Sequence, residues 1–294
     1  MDVFVSLLKS HRMVYHYTTF NRAMTIMESH SLLFGRLYKM NDLQESTRLL
    51  MSNSKNTESF IKCKQAVQRY RQISLTTEER TGRKKPLRGF DILPMWGHYA
   101  DKGHGVCIAL DSTVIRKTAE FIGARQGIVS YRRGYDNAIN FDSDDPAAEL
   151  REGTKNKVVF FQKSPEWSYE QEYRLIIECP SDTNDEEVPL DITKAIVAVI
   201  IAKLNGNTEK PQCYSPGYDE LAKICSKMQI PILLYGADAG QRFLNYAPSP
   251  YFGAEGRIWT KDTGGKEHIG LSEFELMEDR LDDAIPHMDS MAVE

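Results

Sequence analysis

Short apolar segments recur along the 294 residues, and several of the connections between them are too short to hold a helical crossover. A parallel β-α-β crossover takes a dozen or more residues, whereas antiparallel neighbours need only a tight turn. The spacing therefore predicts a mixed α+β fold with largely antiparallel sheets and flanking helices rather than a doubly wound one. We expect eight strands, over residues 14–18, 32–36, 73–76, 105–110, 127–132, 173–178, 196–202 and 231–235.

The first elements are predicted most clearly, as a β-α-β unit. β-branched and aromatic residues fill the segment 14–18, which favours a strand. Thr19 is placed to cap a helix in which apolar residues recur every three or four positions, at Phe20, Ala23, Met24 and Met27. Such a stripe is typical of an amphipathic helix that packs on a sheet.

The regular alternation weakens after residue 236, where Gly and Pro recur and an acidic tail closes the sequence. We therefore expect a main domain over 1–236 and a C-terminal extension with the acidic tail over 237–294.

Composition narrows the function classes. The longest apolar stretch, 195–202, falls far below the roughly 20 residues of a membrane helix. The N-terminus carries Asp2 where an export signal would be basic. The five cysteines form no C-x-x-C pair, so neither a disulfide framework nor a zinc knuckle is indicated. We expect a soluble, cytoplasmic protein with no metal and no membrane partner.

Charge is distributed unevenly. Residues 61–90 hold nine Lys or Arg against Glu78 and Glu79, whereas residues 273–294 hold eight acidic groups against Arg280. The polar segment 76–89 reads as an exposed loop, and clustered Lys and Arg bind polyanions by releasing counterions. It is either a solvated loop or a nucleic-acid contact. The acidic tail either folds over this basic stretch or binds a separate partner, such as an antitoxin-like protein.

The segment SPEWSYEQEYR, at 164–174, places Glu170 and Glu172 among three aromatic residues before an apolar strand. In a strand, residues i and i+2 share one face, roughly 6.5–7 Å apart at Cα. The pair is either a solvated strand edge, with Arg174 pairing with Glu172, or a carboxylate site.

Histidines and aromatics add two more candidates. His16 lies between Tyr15 and Tyr17, so it points to the opposite face; it is either a buried, hydrogen-bonded residue or a ligand contact. In MWGHYADKGHG, at 95–105, Trp96 and Tyr99 are either core residues or a stack for a flat ring. The histidines there lack the spacing of metal ligands.

A family resemblance rests on four segments: YHYT at 15–18, SLLFGRLYKMND at 31–42, MWGHYADKGHGVCIALD at 95–111 and SPEWSYEQEYRLI at 164–176. Over about residues 12–236 the chain resembles a bacterial family of unknown function, which in turn remotely resembles the ADP-ribosyltransferases. The resemblance implies that the domain over 1–236 is an ADP-ribosyltransferase-like catalytic domain. The sequence has no P-loop, Rossmann or G-x-S-x-G motif, which disfavours nucleotide hydrolysis, dinucleotide redox chemistry and serine-hydrolase chemistry.

The resemblance implies residue roles. His16, with Tyr17 and Thr18 beside it, matches the first-strand segment that holds NAD+. Glu172 matches the catalytic glutamate, and Glu170 matches the residue two before it that activates or selects the acceptor. Within this resemblance, Arg36 is the candidate contact for the diphosphate of NAD+, and Tyr99 is the candidate to stack on the nicotinamide ring. The second strand reads LLFGR instead of the S-T-S of many protein-modifying members.

The chemistry agrees with these residue types, because a carboxylate beside the ribose stabilises an oxocarbenium-like transition state. The resemblance implies a mono-ADP-ribosyltransferase that transfers ADP-ribose from NAD+ to a macromolecule, with nucleic acid favoured over protein, acting as a bacterial toxin or phage-defence effector. Two alternatives stay open: an NAD+ glycohydrolase, and a non-catalytic binding or regulatory protein.

Overall fold

A computed structural model describes residues 3–37, 57–78, 88–132, 145–152, 155–179, 188–203, 217–238, 241–247 and 257–272. Strands make up much of this part of the chain. In chain order they are β1 (Met13–Thr18), β2 (Ser31–Leu33), β3 (Gly35–Arg36), β4 (Tyr70–Thr77), β5 (Val106–Asp111), β6 (Arg125–Ile128), β7 (Ser130–Tyr131), β8 (Gln162–Lys163), β9 (Glu172–Glu178), β10 (Pro189–Asp191), β11 (Ile196–Lys203), β12 (Ile232–Asp238), β13 (Gln241–Tyr246), β14 (Arg257–Lys261) and β15 (Glu267–Ser272).

Eleven of the described strands form one sheet, in the order β15-β14-β13-β12-β11-β5-β1-β4-β9-β6 with β3 beside β4. Only β11 and β12 pair in parallel among these; the other neighbours are antiparallel. Two small sheets join β2 to β10 and β7 to β8. The predicted mixed α+β fold with largely antiparallel strands is confirmed.

Helices cover both faces of the main sheet. They are α1 (Val3–Lys9), α2 (Phe20–Ser29), α3 (Thr57–Gln68), α4 (Leu93–Tyr99), α5 (Ser112–Phe121), α6 (Pro146–Glu152), α7 (Lys155–Phe160) and α8 (Tyr218–Lys227). On one face α2, α5 and α8 bury residues such as Met27, Ile115 and Leu221. On the other face α1 and α4 bury Leu8 and Trp96 against Trp259.

The predicted β-α-β opening is confirmed as β1, α2 and β2, and Ala23 and Met27 of the predicted stripe are buried. Its second strand nevertheless pairs with β10 in a separate small sheet. None of the described helices has the length and apolarity to cross a membrane.

The C-terminal segment requires a correction. The boundary expected after residue 236 falls inside β12, and β13, β14 and β15 continue the same sheet by antiparallel pairing. The recurring Gly residues include a tight turn between β14 and β15, where Gly265 has a φ of 74°. Sequence reasoning missed these strands because they are short and separated by turn residues. The acidic tail, 273–294, lies outside the described residues.

One edge of β4 is shared between two short partners. Thr76 and Thr77 pair with Tyr15 and Val14 of β1, whereas Arg71 and Gln72 pair with β3. The described pairs thus leave residues 73–75, in the middle of this edge, between the two partners. The other edge of β4 is paired along its whole length with β9.

Candidate active site

The two glutamates lie at the junction between a 3-10 helix and a strand. The helix covers Pro165–Glu170, Gln171 takes a left-handed conformation with φ 47°, and β9 begins at Glu172. The i, i+2 spacing of a strand therefore does not describe this pair, because Glu170 ends the preceding helical turn. Both carboxylates contact the same cation, Lys163.

Backbone hydrogen bonds fix this junction to its neighbours. The Thr77 amide donates to the carbonyl of Gln171 (2.8 Å), and the Glu172 amide donates to the hydroxyl of Tyr131 (2.9 Å). Left-handed conformations are uncommon outside glycine and cost free energy. The junction therefore keeps a strained residue directly between the two carboxylates.

Glu172 is held by a buried guanidinium. Arg174, two residues along β9 and fully buried, donates from Nε and Nη2 to the two carboxylate oxygens, each at 2.7 Å, and from Nη1 to the carbonyl of Phe160. Burial by itself raises the pKa of Glu172, but the charge and hydrogen bonds of Arg174 outweigh burial and hold the pKa below its usual value. Glu172 is therefore ionised at neutral pH.

Glu170 has different partners. Its Oε2 accepts from Lys163 Nζ at 2.6 Å, and its Oε1 accepts from the Tyr99 hydroxyl at 2.5 Å. Burial raises the pKa of Glu170 above its usual value, while the charge of Lys163 acts in the opposite direction and the charge of Glu172 adds to the rise. The two carboxylates thus differ in proton affinity, which is the arrangement that separates acid and base roles in enzymes.

Aromatic rings border Glu170. Tyr169 stacks on His98 at a centroid distance of 6.0 Å, and its ring centroid lies 6.1 Å from that of Trp167. The Lys163 ammonium lies over the Trp167 ring, 4.6 Å from its centroid. His98 is exposed, and the tyrosine and tryptophan are half-buried. These rings form one wall of the site, on the side open to solvent.

Ser74 gives the site an opening. It is exposed although it lies in the middle of β4, between buried Gln72 and Thr76. Its hydroxyl accepts from Gln72 Nε2 (2.7 Å) and bonds with the Glu172 carboxylate, which lowers the pKa of that carboxylate. Solvent thus reaches the central sheet next to a buried carboxylate pair.

His16 approaches the same serine from the other side. Its imidazole hydrogen-bonds the Ser74 backbone, on the stretch of β4 that lies between the β1 and β3 pairs. Burial lowers the pKa of His16 to about 4, so the ring is neutral at physiological pH. The structure therefore places Ser74 between His16 and Glu172 instead of bringing the two side chains into contact.

Three other predicted ligand residues have mainly structural surroundings. Tyr17 is a core residue: its hydroxyl donates to the Gly89 carbonyl at 2.6 Å and its ring packs edge-on against Trp96, itself buried. Thr18 is buried and pairs with Val106 of β5. Arg36 is half-buried and pairs with Arg71, so it projects from the face of β4 opposite Gln72 and Ser74.

Sequence reasoning missed Lys163, Tyr131, Gln72 and Ser74. Lys163 precedes the quoted motif by one residue, and its role depends on the short β7–β8 pairing that turns it inward. One sequence signal could have indicated Gln72 and Ser74. They alternate with apolar residues along β4, and such alternation predicts that one face of the strand is polar. No cluster of His, Cys, Asp and Glu suited to a metal occurs within the described residues.

Fold and site together define an α+β protein with a buried carboxylate pair beside an opening in its central sheet. Residues 95–175, which include Tyr99, Lys163 and both glutamates, match the model of a family described as "Protein of unknown function (DUF2971)". The predicted resemblance to a family of unknown function is confirmed for this segment. No curated protein matches the chain.

One solved structure is similar to this chain over much of its length. It is that of Thermus sp. 2.9 DarT in complex with ADP-ribosylated ssDNA, with 12% sequence identity and a TM-score of 0.30. The similarity covers 75% of this chain and 90% of the DarT chain. A TM-score at this level assigns neither residue roles nor an activity.

Proposed function

We propose that the protein is an NAD+-dependent mono-ADP-ribosyltransferase. The proposal is carried by the Glu170–Glu172 pair, which is buried next to the exposed Ser74 at the centre of the sheet. The family resemblance of the segments at 15–18, 31–42, 95–111 and 164–176 supports the same activity.

The residues of the site suit NAD+ as substrate. Glu172, ionised and fixed by Arg174, supplies the negative charge that stabilises the ribosyl cation as nicotinamide leaves. Each of its oxygens has more than one lone pair, so the bonds to Arg174 leave acceptor capacity for a ribose hydroxyl. Gln171 Oε1 is buried and has no hydrogen-bond partner within the described residues, and a bound ligand would satisfy it.

Glu170 is the residue for the acceptor. It lies at the aromatic wall, and its raised pKa suits a group that takes a proton from the attacking atom. The neutral imidazole of His16 supplies a hydrogen bond on the far side of Ser74 without adding positive charge beside the forming cation.

We favour nucleic acid as acceptor over protein. Residues 79–87, which include Arg80, Arg83, Lys84 and Lys85, lie outside the described part, but both flanking residues are fixed there. Arg88 Nη1 lies 3.1 Å from Glu78 Oε2, two residues after Thr76, the β4 partner of Glu172. Clustered Lys and Arg bind polyanions by releasing counterions, so the basic composition of this stretch favours a nucleic-acid acceptor. A toxin or phage-defence role is proposed with it, from the resemblance alone.

The test uses NAD+ labelled on the adenylate phosphate, with single-stranded DNA, RNA or cell protein as acceptor. We expect label on nucleic acid, lost by about 10²-fold or more in Glu170→Gln. Glu166→Gln, which changes an exposed carboxylate of the same 3-10 helix, is the matched control and should keep full activity. Nicotinamide release without labelled acceptor would select a glycohydrolase, and absence of both products would exclude the proposal.

A second candidate is favoured by the bidentate Arg174–Glu172 contact. Both partners are buried, and such pairs are common as structural elements. In that case the protein is a non-catalytic binding or regulatory protein, NAD+ gives no thermal shift, and Glu172→Gln lowers stability without abolishing any biological effect of the folded protein.

A further inference from the structure

Lys163 contacts both carboxylates. Its Nζ lies 2.6 Å from Glu170 Oε2, 3.8 Å from Glu172 Oε2 and 4.6 Å from the centre of the Trp167 ring. The side chain is 6% exposed, so this ammonium has left bulk water and depends on these partners. It sits at the end of the two-residue strand β8, whose parallel pairing with β7 orients it.

The two carboxylates do not share their cations equally. Arg174 donates to both oxygens of Glu172 and, with its remaining nitrogen, to the Phe160 carbonyl. Arg174 is therefore fully engaged by Glu172 and the backbone. Lys163 is the cation that contacts Glu170, and its distance to Glu170 is shorter than its distance to Glu172 by more than an ångström.

We propose that Lys163 is a positioning residue that keeps Glu170 ionised and oriented as the proton acceptor for the incoming nucleophile. The inference rests on the proposed transferase function and goes beyond it by naming the group that controls the acceptor step. Tyr99 holds the other oxygen of Glu170. Together the two contacts fix the carboxylate plane between the aromatic wall and the ammonium.

The proton balance explains the need for a cation. In the transfer step the bond between the ribose C1 and the nicotinamide nitrogen breaks, and nicotinamide leaves with the bonding electron pair. An oxygen or nitrogen of the acceptor forms the new bond to C1, and its proton passes to the Glu170 carboxylate. Lys163 keeps its own proton throughout. A protonated Glu170 cannot accept, and both burial and the Glu172 charge favour that protonated form.

The experiment compares Lys163→Met, Lys163→Arg and wild type by the pH dependence of transfer and of nicotinamide release. Without the cation, we expect the acid limb of the transfer profile to move up by about one pH unit or more, with about tenfold less transfer at neutral pH. Hydrolysis to free ADP-ribose should fall less, since water needs weaker assistance from Glu170. Lys163→Arg should restore most of the wild-type profile.

Lys157→Met is the matched control, because Lys157 is an exposed lysine on α7 six residues away. It should leave both profiles unchanged. Superimposable profiles for Lys163→Met and wild type would overturn the role of Lys163 while leaving the transferase proposal intact. An inactive wild type would instead count against the transferase.

A measurement on the wild-type protein tests the proposal even if the variants misfold or the wild type is inactive. Titration of ¹³C-labelled glutamate carboxyls by NMR, with Glu170→Gln used to assign the signal, reports the charge of Glu170 directly. The proposal expects an ionised Glu170 at pH 7. A signal showing Glu170 protonated at that pH would refute the role assigned to Lys163, whatever the activity.

Discussion

Two clusters of buried charge lie on the same side of the central sheet, and they are built differently. The site cluster contains Glu170, Glu172, Lys163 and Arg174, which lie within twelve consecutive residues. The second, which we call the anchor cluster, consists of Glu78, Arg88 and Glu267. There Arg88 binds Glu78 at 3.1 Å and, through Nε and Nη2, both oxygens of Glu267, 179 positions away.

The anchor cluster connects elements that are distant in the sequence. Arg88 also donates to the Leu8 carbonyl at the end of α1, Tyr15 donates to Glu78, and Trp259 donates to Glu267. These contacts join the N-terminal helix, β1 and the last hairpin. The surrounding rings Tyr15, Phe90 and Trp259 belong to the core.

The difference between the clusters teaches what marks a site. Both contain a bidentate arginine–carboxylate pair and a second carboxylate, so buried charge alone does not separate them. The site cluster differs in its exposed neighbours Ser74 and His98 and in its unevenly shared cations. Functional sites combine perturbed groups with access for a ligand, and the exposed Ser74 and His98 give the site cluster that access.

The largest effect on stability is expected in the anchor cluster. Arg88→Met leaves buried Glu78 and half-buried Glu267 without their guanidinium, and removing one partner of a buried ion pair costs about 3–5 kcal/mol. Denaturant unfolding followed by circular dichroism measures the loss. Arg12→Met, which removes an exposed pair with Asp111, should cost under about 1 kcal/mol. Equal small losses in both variants would show that the anchor cluster does not stabilise the fold.

The corresponding change in the site cluster should affect two properties. Glu172→Gln leaves Arg174 without its counter-charge but keeps one acceptor oxygen, so we expect a loss of about 3 kcal/mol in unfolding free energy. Transfer activity per folded molecule should also fall by about 10²-fold or more. Glu178→Gln, at the other end of β9 in a partly exposed pair with Arg151, is the control for both measurements. Full activity in the folded fraction of Glu172→Gln would remove Glu172 from the reaction.

The sequence predicted the parts of this comparison that depend on local pattern. The α+β class, the β-α-β opening and the strand after the glutamates follow from periodicity and turn residues. The parts that depend on distant pairing were not predictable. Arg88 meets Glu267 only after the last hairpin docks, and Lys163 turns inward only because β8 pairs with β7. The left-handed conformation of Gln171 was not predicted, because an E-x-E sequence at the start of a strand is also typical of regular strand alternation.

His16, which hydrogen-bonds the Ser74 backbone beside the site cluster, and Glu78 of the anchor cluster should respond oppositely to pH. Burial lowers the pKa of His16 to about 4, so the stability it provides is present above pH 6.5 and is lost as the pH falls toward 4. Burial raises the pKa of Glu78 to about 7, so its contribution is present below pH 4.5 and is lost as the pH rises through 7. Each effect is on the order of 3 kcal/mol.

Single variants separate these opposed effects. His16→Asn should remove the loss of stability between pH 6.5 and 4, and Glu78→Gln should remove the loss between pH 4.5 and 7, both followed by thermal unfolding at several pH values. His30→Asn is the control for the histidine, since asparagine tolerates the left-handed backbone at that position. An unchanged pH profile in His16→Asn would mean that His16 is as well solvated folded as unfolded.

The smallest expected effect concerns backbone strain in the two clusters. Gln171 and His11 both have positive φ, 47° and 52°. His11 nevertheless contacts the anchor cluster, with Nδ1 2.9 Å from Glu78, whereas Gln171 Oε1 is buried without a hydrogen-bond partner within the described residues. Glycine relieves left-handed strain at both positions. We expect Gln171→Gly to raise the unfolding free energy by about 0.5–1 kcal/mol and His11→Gly to lower it, because that change removes an imidazole bonded to the cluster.

The affinity for NAD+ is a second measurement on the Gln171→Gly variant. If the buried amide oxygen serves the ligand, Gln171→Gly should be more stable than wild type and yet bind NAD+ more weakly, as measured by calorimetry. A stabilised variant with unchanged affinity would show that the strain at Gln171 serves only the backbone geometry of the junction. A destabilised variant would show instead that the glutamine side chain supports the junction, as His11 supports the anchor cluster.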